Sequence, residues 1–479
     1  MKENKLRTPT FFESIFPILF LIIFLSINVF IFKDSSLDGS NQIVLIVSAS
    51  VASAIALNIG FKWSELQKGI VNSISSAIPS ILILFLVGSL AGSWMLSGIV
   101  PAMIYYGIQL LNPKIFLIAS CLICIIVSVA TGSSWTTSAT IGIALIGIGK
   151  ALGISEGLIA GSILSGAYFG DKMSPLSDTT NLSPAVAGSD LFSHIRYLSY
   201  TAFPSILICL VLFLFLGLSN YSNINQTNST LISNAISEKF YLSPILFLVP
   251  LFVIFLIYKK TKALPSLFCG TLLGVIFALI FQPDLVKEVS GINDSNFKSL
   301  FVGIMKSLYG TISISTSNEI VNELLTSGGM FGMLSTIWLI FSAMIFGGVM
   351  EVSGFLKKIV NSILTSVKST GSLVSSTVGT CVFFNLTASD QYLSIVVPGR
   401  MFSETYRKSG LDPVNLSRTL EDGGTVTSVL VPWNTCGAYH ATVLNVSTLT
   451  YLPYCFFSII SPLMTILFAY LKIKIKKLK

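Results

Sequence analysis

The chain has 479 residues, of which 53% are Ala, Val, Ile, Leu, Met, Phe, Trp, Tyr or Cys and only 10% are charged, with a mean hydropathy of +0.82. Soluble domains carry roughly 25% charged residues, so a water-soluble globular fold is excluded and length becomes a count of membrane crossings. The formal net charge of +8 sits in short flanks of apolar runs, which excludes the basic patch of a nucleic-acid-binding protein; such flanks mark the cytoplasmic side of a membrane.

Long apolar stretches fall near 14–32, 41–61, 77–100, 114–130, 198–218, 241–258, 264–282, 332–353 and 451–471, with shorter ones between them. A crossing helix needs about 20 mostly apolar residues, so the pattern predicts an all-α polytopic membrane protein with about 10–12 transmembrane helices and some re-entrant pieces. Lys2, Lys5 and Arg7 precede the first stretch. Its full-span length and the following Lys33-Asp34, without a small-residue cleavage site, make it a transmembrane helix and not a signal peptide. Residues 1–8, KWSELQK (62–68), KKTK (259–262) and the tail 472–479 are expected on the cytoplasmic side, and 33–42 and 219–240 outside. Cys121 and Cys124 form a CxxC inside an apolar run. With no second pair and no nearby histidine they read as small helix residues rather than as a metal or redox site.

The chain repeats itself. SPLSDTT (174–180) aligns with VPWNTCG (431–437) at an offset of 257, which also pairs Gly166 with Gly423, and VATGSSW (129–135) aligns with NLTASDQ (385–391) at 256. The helices leading into the two copies, 77–100 and 332–353, are expected to run in opposite directions. Two such halves make an inverted-topology repeat with broken helices and re-entrant hairpins, the common plan of secondary transporters. The expected division is N-terminal helices 1–76, a first repeat 77–195, linking helices 196–331, a second repeat 332–450, and a last helix with its basic tail, 451–479.

Each half is interrupted by polar, Gly-rich sequence: TGSSWTTSAT (131–140) and GAYFGDKMSPLSDTTNLSP (166–184), then FFNLTASDQYLS (383–394) and LEDGGTVTSVLVPWNTCGAYH (420–440). Unwound backbone at membrane depth is tolerated only where protein or a water-filled cavity satisfies it. The freed carbonyls, with nearby hydroxyl and amide oxygens, suit a hard cation. The candidate cation and proton ligands are therefore Ser133, Ser134 and Thr137; Ser177, Asp178, Thr179 and Asn181; Asn385, Thr387, Ser389 and Asp390; Asn434 and Thr435. Asp178 and Asp390 are the leading carboxylates, since an ionisable group retained in a membrane helix is a functional candidate by default. Asp171, Glu351, Glu421 and Asp422 are secondary candidates; Asp171 has Lys172 beside it as an alternative ion-pair partner, and Glu421 and Asp422 have a capping role as theirs. Glu404, among Arg400, Arg407 and Lys408, reads as an interfacial helix end. His440 follows the last break and is a candidate proton relay, whereas His194 reads as interfacial and Trp135 and Trp433 as packing residues.

At these segments the chain resembles the NhaC family of Na⁺/H⁺ antiporters. ATGSSWTTSATIGIALIGIGKALG, GAYFGDKMSPLSDTTNLSPAVAG, NLTASDQYLSIVVPGRMF and SRTLEDGGTVTSVLVPWNTCGAYHATVLNV carry the resemblance, which covers about residues 12 to 470. The resemblance implies exchange of Na⁺ for H⁺ across a bacterial cytoplasmic membrane, Na⁺ being the metal at the cation site, with no cofactor. Na⁺, H⁺ and the lipid bilayer are the expected partners, a homodimer is compatible, and no nucleic acid is expected. The family also contains exchangers of organic anions, of the malate/lactate type, and of amino acids. For an organic anion, Lys172 and Arg400 are the available cations. A membrane-embedded enzyme or an ATP-driven pump finds no support, because HExxH, nucleophile-elbow and Walker A motifs are absent. Breaks in both halves favour alternating access over a channel.

Overall fold

A computed structural model describes residues 6–32, 39–220, 226–259, 261–292, 296–316, 318–364 and 369–478. Lys2, Lys5, most of the expected external loop 33–42, residues 221–225 of the loop 219–240, and Lys260 of KKTK lie outside the described residues. Seven described helices are long and apolar enough to cross a membrane: Phe11–Phe32, Ser40–Ile59, Trp63–Leu96, Pro113–Thr131, Leu191–Ser219, Ala263–Phe281 and Phe331–Val352. Two bent pairs raise the number to nine, Thr230–Lys239 with Pro244–Tyr258 at 90° and Thr448–Tyr454 with Phe456–Tyr470 at 53°. Shorter helices, interrupted at 132–133, 174–177, 388–392 and 431–434, complete an all-α membrane fold. Strand structure among the described residues is a two-residue antiparallel ladder, Ile312–Ser313 with Thr326–Ser327, as hydrocarbon requires of backbone that must satisfy itself.

The helix Leu191–Asn220 shows how sequence sorts lipid from protein. Phe203, Leu207, Val211 and Phe215 lie four apart and are 56–68% exposed, while Thr201, Ser205, Cys209 and Phe213 are fully buried. A continuous apolar stripe of this size on a soluble protein would be a liability; here it faces acyl chains, and small or polar residues face the bundle. The helix Trp63–Leu96 begins fourteen residues before the apolar run expected at 77. Its 34 residues span about 51 Å at 1.5 Å each, more than the roughly 30 Å hydrocarbon core. The KWSELQK segment is therefore a polar helical extension, started where the Glu65 carboxylate accepts from the Lys62 N–H at 2.8 Å.

The internal repeat holds contact by contact. The helices Glu156–Met173, Asp178–Ala187 and Leu191–Asn220 begin 257 residues before Pro413–Leu420, Thr435–Leu444 and Thr448–Tyr451. Ser128 Oγ donates to Ala167 O at 2.6 Å, and at the same offset Asn385 Nδ2 donates to Gly424 O at 2.7 Å. A Cβ on Gly166 would meet Cys121 O and Cys124; a Cβ on Gly423 would meet Val378 and Cys381, each 257 further on. Two helices cross closely at these glycines in each half. At the first break the register is also 257, not 256: Gly132 (φ +68°) matches Ser389 (φ +58°), and Ser133 matches Asp390. Both breaks turn through the left-handed region, which glycine adopts freely and serine does not.

Candidate functional site

Four helix starts surround the breaks, and each is capped by a predicted site residue. Ser133 Oγ accepts from Thr136 N at 3.2 Å, and Ser177 Oγ from Thr180 N at 3.3 Å. Asp390 Oδ1 accepts from Leu393 N at 2.9 Å, and Asn434 Oδ1 from Cys436 N at 3.0 Å. Each cap satisfies a backbone N–H that has no partner within its helix. Such starts carry partial positive charge, which favours carboxylates beside them.

A cavity of about 990 Å³ reaches these helix starts. Ser133, Ser134, Asp171, Ser177, Asp178, Thr179 and Thr435 line it, so the first two breaks and the start of the last one meet in one space. Asp171 is buried; its Oδ2 accepts from Ser134 N at 2.9 Å and from Ser134 Oγ at 2.7 Å. Asp178 differs. It opens the helix Asp178–Ala187, is exposed to the cavity, and its carboxylate makes no protein hydrogen bond among the described residues. Both of its oxygens are left for a cation, a proton or water. The exposed Lys262 also lines this space.

Other predicted residues lie off the cavity wall. Thr137 and Thr387 donate to carbonyls of their own helices, Ser133 O at 2.9 Å and Phe383 O at 2.7 Å. Asn181 staples its turn by donating to Pro175 O and Ser177 O. Asp390 is buried behind its neighbours Gln391 and Tyr392, which do line the cavity. Ser389 O accepts from Thr435 N at 3.0 Å, and Asn385 and Asn434 hydrogen-bond to each other. Glu351 is exposed near the end of the helix Leu334–Val352, away from the wall.

The remaining carboxylates join the halves. Glu421 and Asp422 begin a π-helical turn, Glu421–Thr425, a distortion frequent at functional sites. Glu421 accepts from Thr179 Oγ1 at 3.0 Å and Ser183 Oγ at 2.5 Å, tying the second half to the first. Lys172 pairs with Asp422 and not with the adjacent Asp171, and both partners are fully buried. Asp422 also accepts from Ser461 Oγ at 2.6 Å, Thr201 Oγ1 at 3.1 Å and Thr465 Oγ1. Lys172 is therefore occupied by protein and is no candidate for a substrate carboxylate.

A second cavity, of about 800 Å³, lies beyond the breaks and is lined by Ile143, Ile146, Ala438, Ala441 and Thr442, with the Lys150–Glu156 ion pair at 2.6 Å. The two spaces share elements but not residues. Trp135, Thr136, Thr435 and Cys436 face the first, and residues one to three helical turns on face the second. Between them Trp135 stacks on Tyr439, centroids 3.9 Å apart, and Tyr439 Oη donates to Trp135 O at 3.0 Å. His440 packs edge-on against Trp135, Tyr168 and Tyr439. Neither ring nitrogen of His440 has a hydrogen-bond partner among the described residues. Trp135 is both a packing residue and cavity wall; Trp433 packs, donating from Nε1 to Leu386 O at 2.8 Å.

Sequence reasoning missed Gln391, Tyr392 and Lys262 as wall residues and Arg418 as a buried cation. An offset of 257 at the first break would have found Gln391, since it sets Gln391 opposite Ser134. The structure repeats that pairing: where Ser134 meets Asp171, Gln391 Oε1 accepts from Ser428 Oγ at 3.4 Å.

The sequence model of the Na⁺/H⁺ antiporter family matches residues 6–218 and 166–473. The Na(+)/H(+) antiporter NhaC of Alkalihalophilus pseudofirmus is 38% identical over 436 residues, 91% of each chain. The malate-2H(+)/Na(+)-lactate antiporter of Bacillus subtilis is 37% identical over 467 residues, 97% of this chain and 95% of that one. The arginine/ornithine antiporter ArcD of Halobacterium salinarum is 35% identical over 469 residues, 97% of this chain and 92% of its own.

Proposed function

The chain belongs to the NhaC family of Na⁺/H⁺ antiporters, and on that premise we propose that it exchanges Na⁺ for H⁺ across a bacterial cytoplasmic membrane. Asp178 carries the reading: a carboxylate with no protein hydrogen bond, exposed to a cavity walled by Ser133, Ser134, Ser177, Thr179 and Thr435 hydroxyls with Asp171 nearby. Two carboxylates against one lysine give that wall a net negative lining, which favours a cation. Na⁺ and H⁺ compete for the same oxygens, and that competition couples the fluxes: a protonated carboxylate releases Na⁺, and bound Na⁺ displaces the proton. Asp390 is the second carboxylate in this reading, one residue behind the wall.

With both termini and KKTK on the cytoplasmic side, the cavity bordered by Lys262 opens inward. The Trp135–Tyr439 stack then closes the path to the outer cavity. The repeats 77–195 and 332–450 would exchange these roles in the outward state, each rocking about the breaks.

A second reading, exchange of a small organic anion, rests on one observation. The exposed Lys262 lines the cavity as its basic residue among the described ones, and an ammonium there suits a substrate carboxylate. Dequenching of a pH dye in inverted vesicles separates the two. The Na⁺ reading expects a response to Na⁺ alone, lost in Asp178→Asn and in Asp390→Asn with protein levels unchanged, and little altered in Glu404→Gln. A response that requires malate, lactate or an amino acid favours the second reading. Wild-type Na⁺-dependent flux in both Asn variants would remove Asp178 and Asp390 from the site and leave Asp171, Glu421 and Asp422 to be tested.

A further inference from the structure

Inverted repeats present two equivalent crossing points, and symmetry by itself would allow a cation at each. In this chain the two are chemically unlike. At the first, the positions equivalent by the 257-residue offset are Ser128 and Ser177, and the surrounding side chains are hydroxyls and carboxylates. At the second, the equivalents are Asn385 and Asn434, two amides that bring N–H donors, and the carboxylate of this break, Asp390, is buried and caps the next helix start at Leu393 N.

Those donors are spent on the oxygens a cation would need. Asn385 Nδ2 donates to Gly424 O at 2.7 Å and Thr427 Oγ1 at 3.0 Å. Asn434 Nδ2 lies 3.1 Å from both Asn385 O and Asn385 Oδ1. Trp433 Nε1 takes Leu386 O, and Thr435 N takes Ser389 O. The amide orientations follow from the backbone. Gly424 O can only accept, so the nitrogen of Asn385 faces it; the Cys436 N–H can only donate, so the oxygen of Asn434 faces that. A cation needs converging lone pairs without competing N–H groups, and here the carbonyls of Phe384, Asn385, Leu386 and Ser389 each already accept a hydrogen bond from the protein.

We infer that the second crossing is a permanently amide-bonded pivot and that each chain carries one Na⁺ site, at the first crossing. The amide cluster takes the place of the second cation, holding the helices Thr370–Thr387, 413–430 and Thr435–Leu444 together through the cycle whether or not Na⁺ is bound. The consequence is a stoichiometry: Na⁺ enters and leaves one at a time, and its dependence is hyperbolic. This rests on the Na⁺ reading of Asp178 above.

The test is equilibrium binding of radioactive Na⁺ to the purified full-length protein, for the wild type and for Asp178→Asn. The exposed, hydrogen-bond-free setting of Asp178 predicts that this variant folds as the wild type does. One saturable Na⁺ per chain in the wild type, none in Asp178→Asn, and a Hill coefficient of one for transport are expected. Two Na⁺ per chain, or one retained in Asp178→Asn, would overturn the single-site assignment while leaving Na⁺ transport intact. No saturable Na⁺ in the wild type would overturn the transport reading itself, and this inference with it.

Discussion

Replacing Asp422 by Asn leaves Lys172 fully buried and uncompensated, and the structure sets the size of the effect. The Asp422 carboxylate is held by Lys172 and by Thr201, Ser461 and Thr465 hydroxyls, and among the described residues the other hydrogen bond of Lys172 Nζ is to Ser461 Oγ at 2.9 Å. Removing one partner of a buried ion pair costs about 3–5 kcal/mol, a factor of roughly 100 to several thousand in the folded-to-unfolded ratio at 1.4 kcal/mol per tenfold. Removing the second charge as well relieves most of that cost, because the penalty is chiefly an isolated buried ammonium. Lys172→Met, Asp422→Asn and the double variant, unfolded in lipid nanodiscs and followed by tryptophan fluorescence, form a double-mutant cycle. Each single variant should be strongly destabilised, and the double variant should be less destabilised than the sum of the two by about 2 kcal/mol or more. Additive effects, or an Asp422→Asn protein as stable as the wild type, would refute the view of this pair as a structural tie between the halves.

Ser389 holds a left-handed backbone that its counterpart Gly132 adopts freely, and its Oγ is buried without a partner. Ser389→Gly should therefore stabilise the protein by about 1 kcal/mol in the same unfolding assay, and a loss of stability would show that the hydroxyl is used. Trp135→Ala removes the stacked partner of Tyr439 between the two cavities. It should add a Na⁺-independent proton leak in proteoliposomes and make a cysteine placed at Ala441 reactive to an impermeant thiol reagent from the side of Lys262; a tight membrane and an unreactive cysteine would place the barrier elsewhere.

Membrane residence, helical character and the positions of the breaks were legible in the sequence, because hydrocarbon leaves so few options. Twenty apolar residues must be helix, and a polar, Gly-rich interruption at depth must be buried or wet. The repeat was legible too, although one break was read one residue out of register: its left-handed turn is made by Gly132 in one copy and by Ser389 in the other, so the residue that marks the turn is not shared. What the sequence could not decide was which oxygens remain available. Asp178 and Asp422 look alike along the chain, each beside small hydroxyl or glycine residues. Asp422 is neutralised by a lysine 250 positions away, whereas Asp178 meets only the cavity. The amides of Asn385 and Asn434 read as ligands until the fold brought them together, 49 positions apart. Local sequence sets where backbone and side-chain oxygens are released; packing between distant segments determines which of them the protein itself consumes and which are left for an ion.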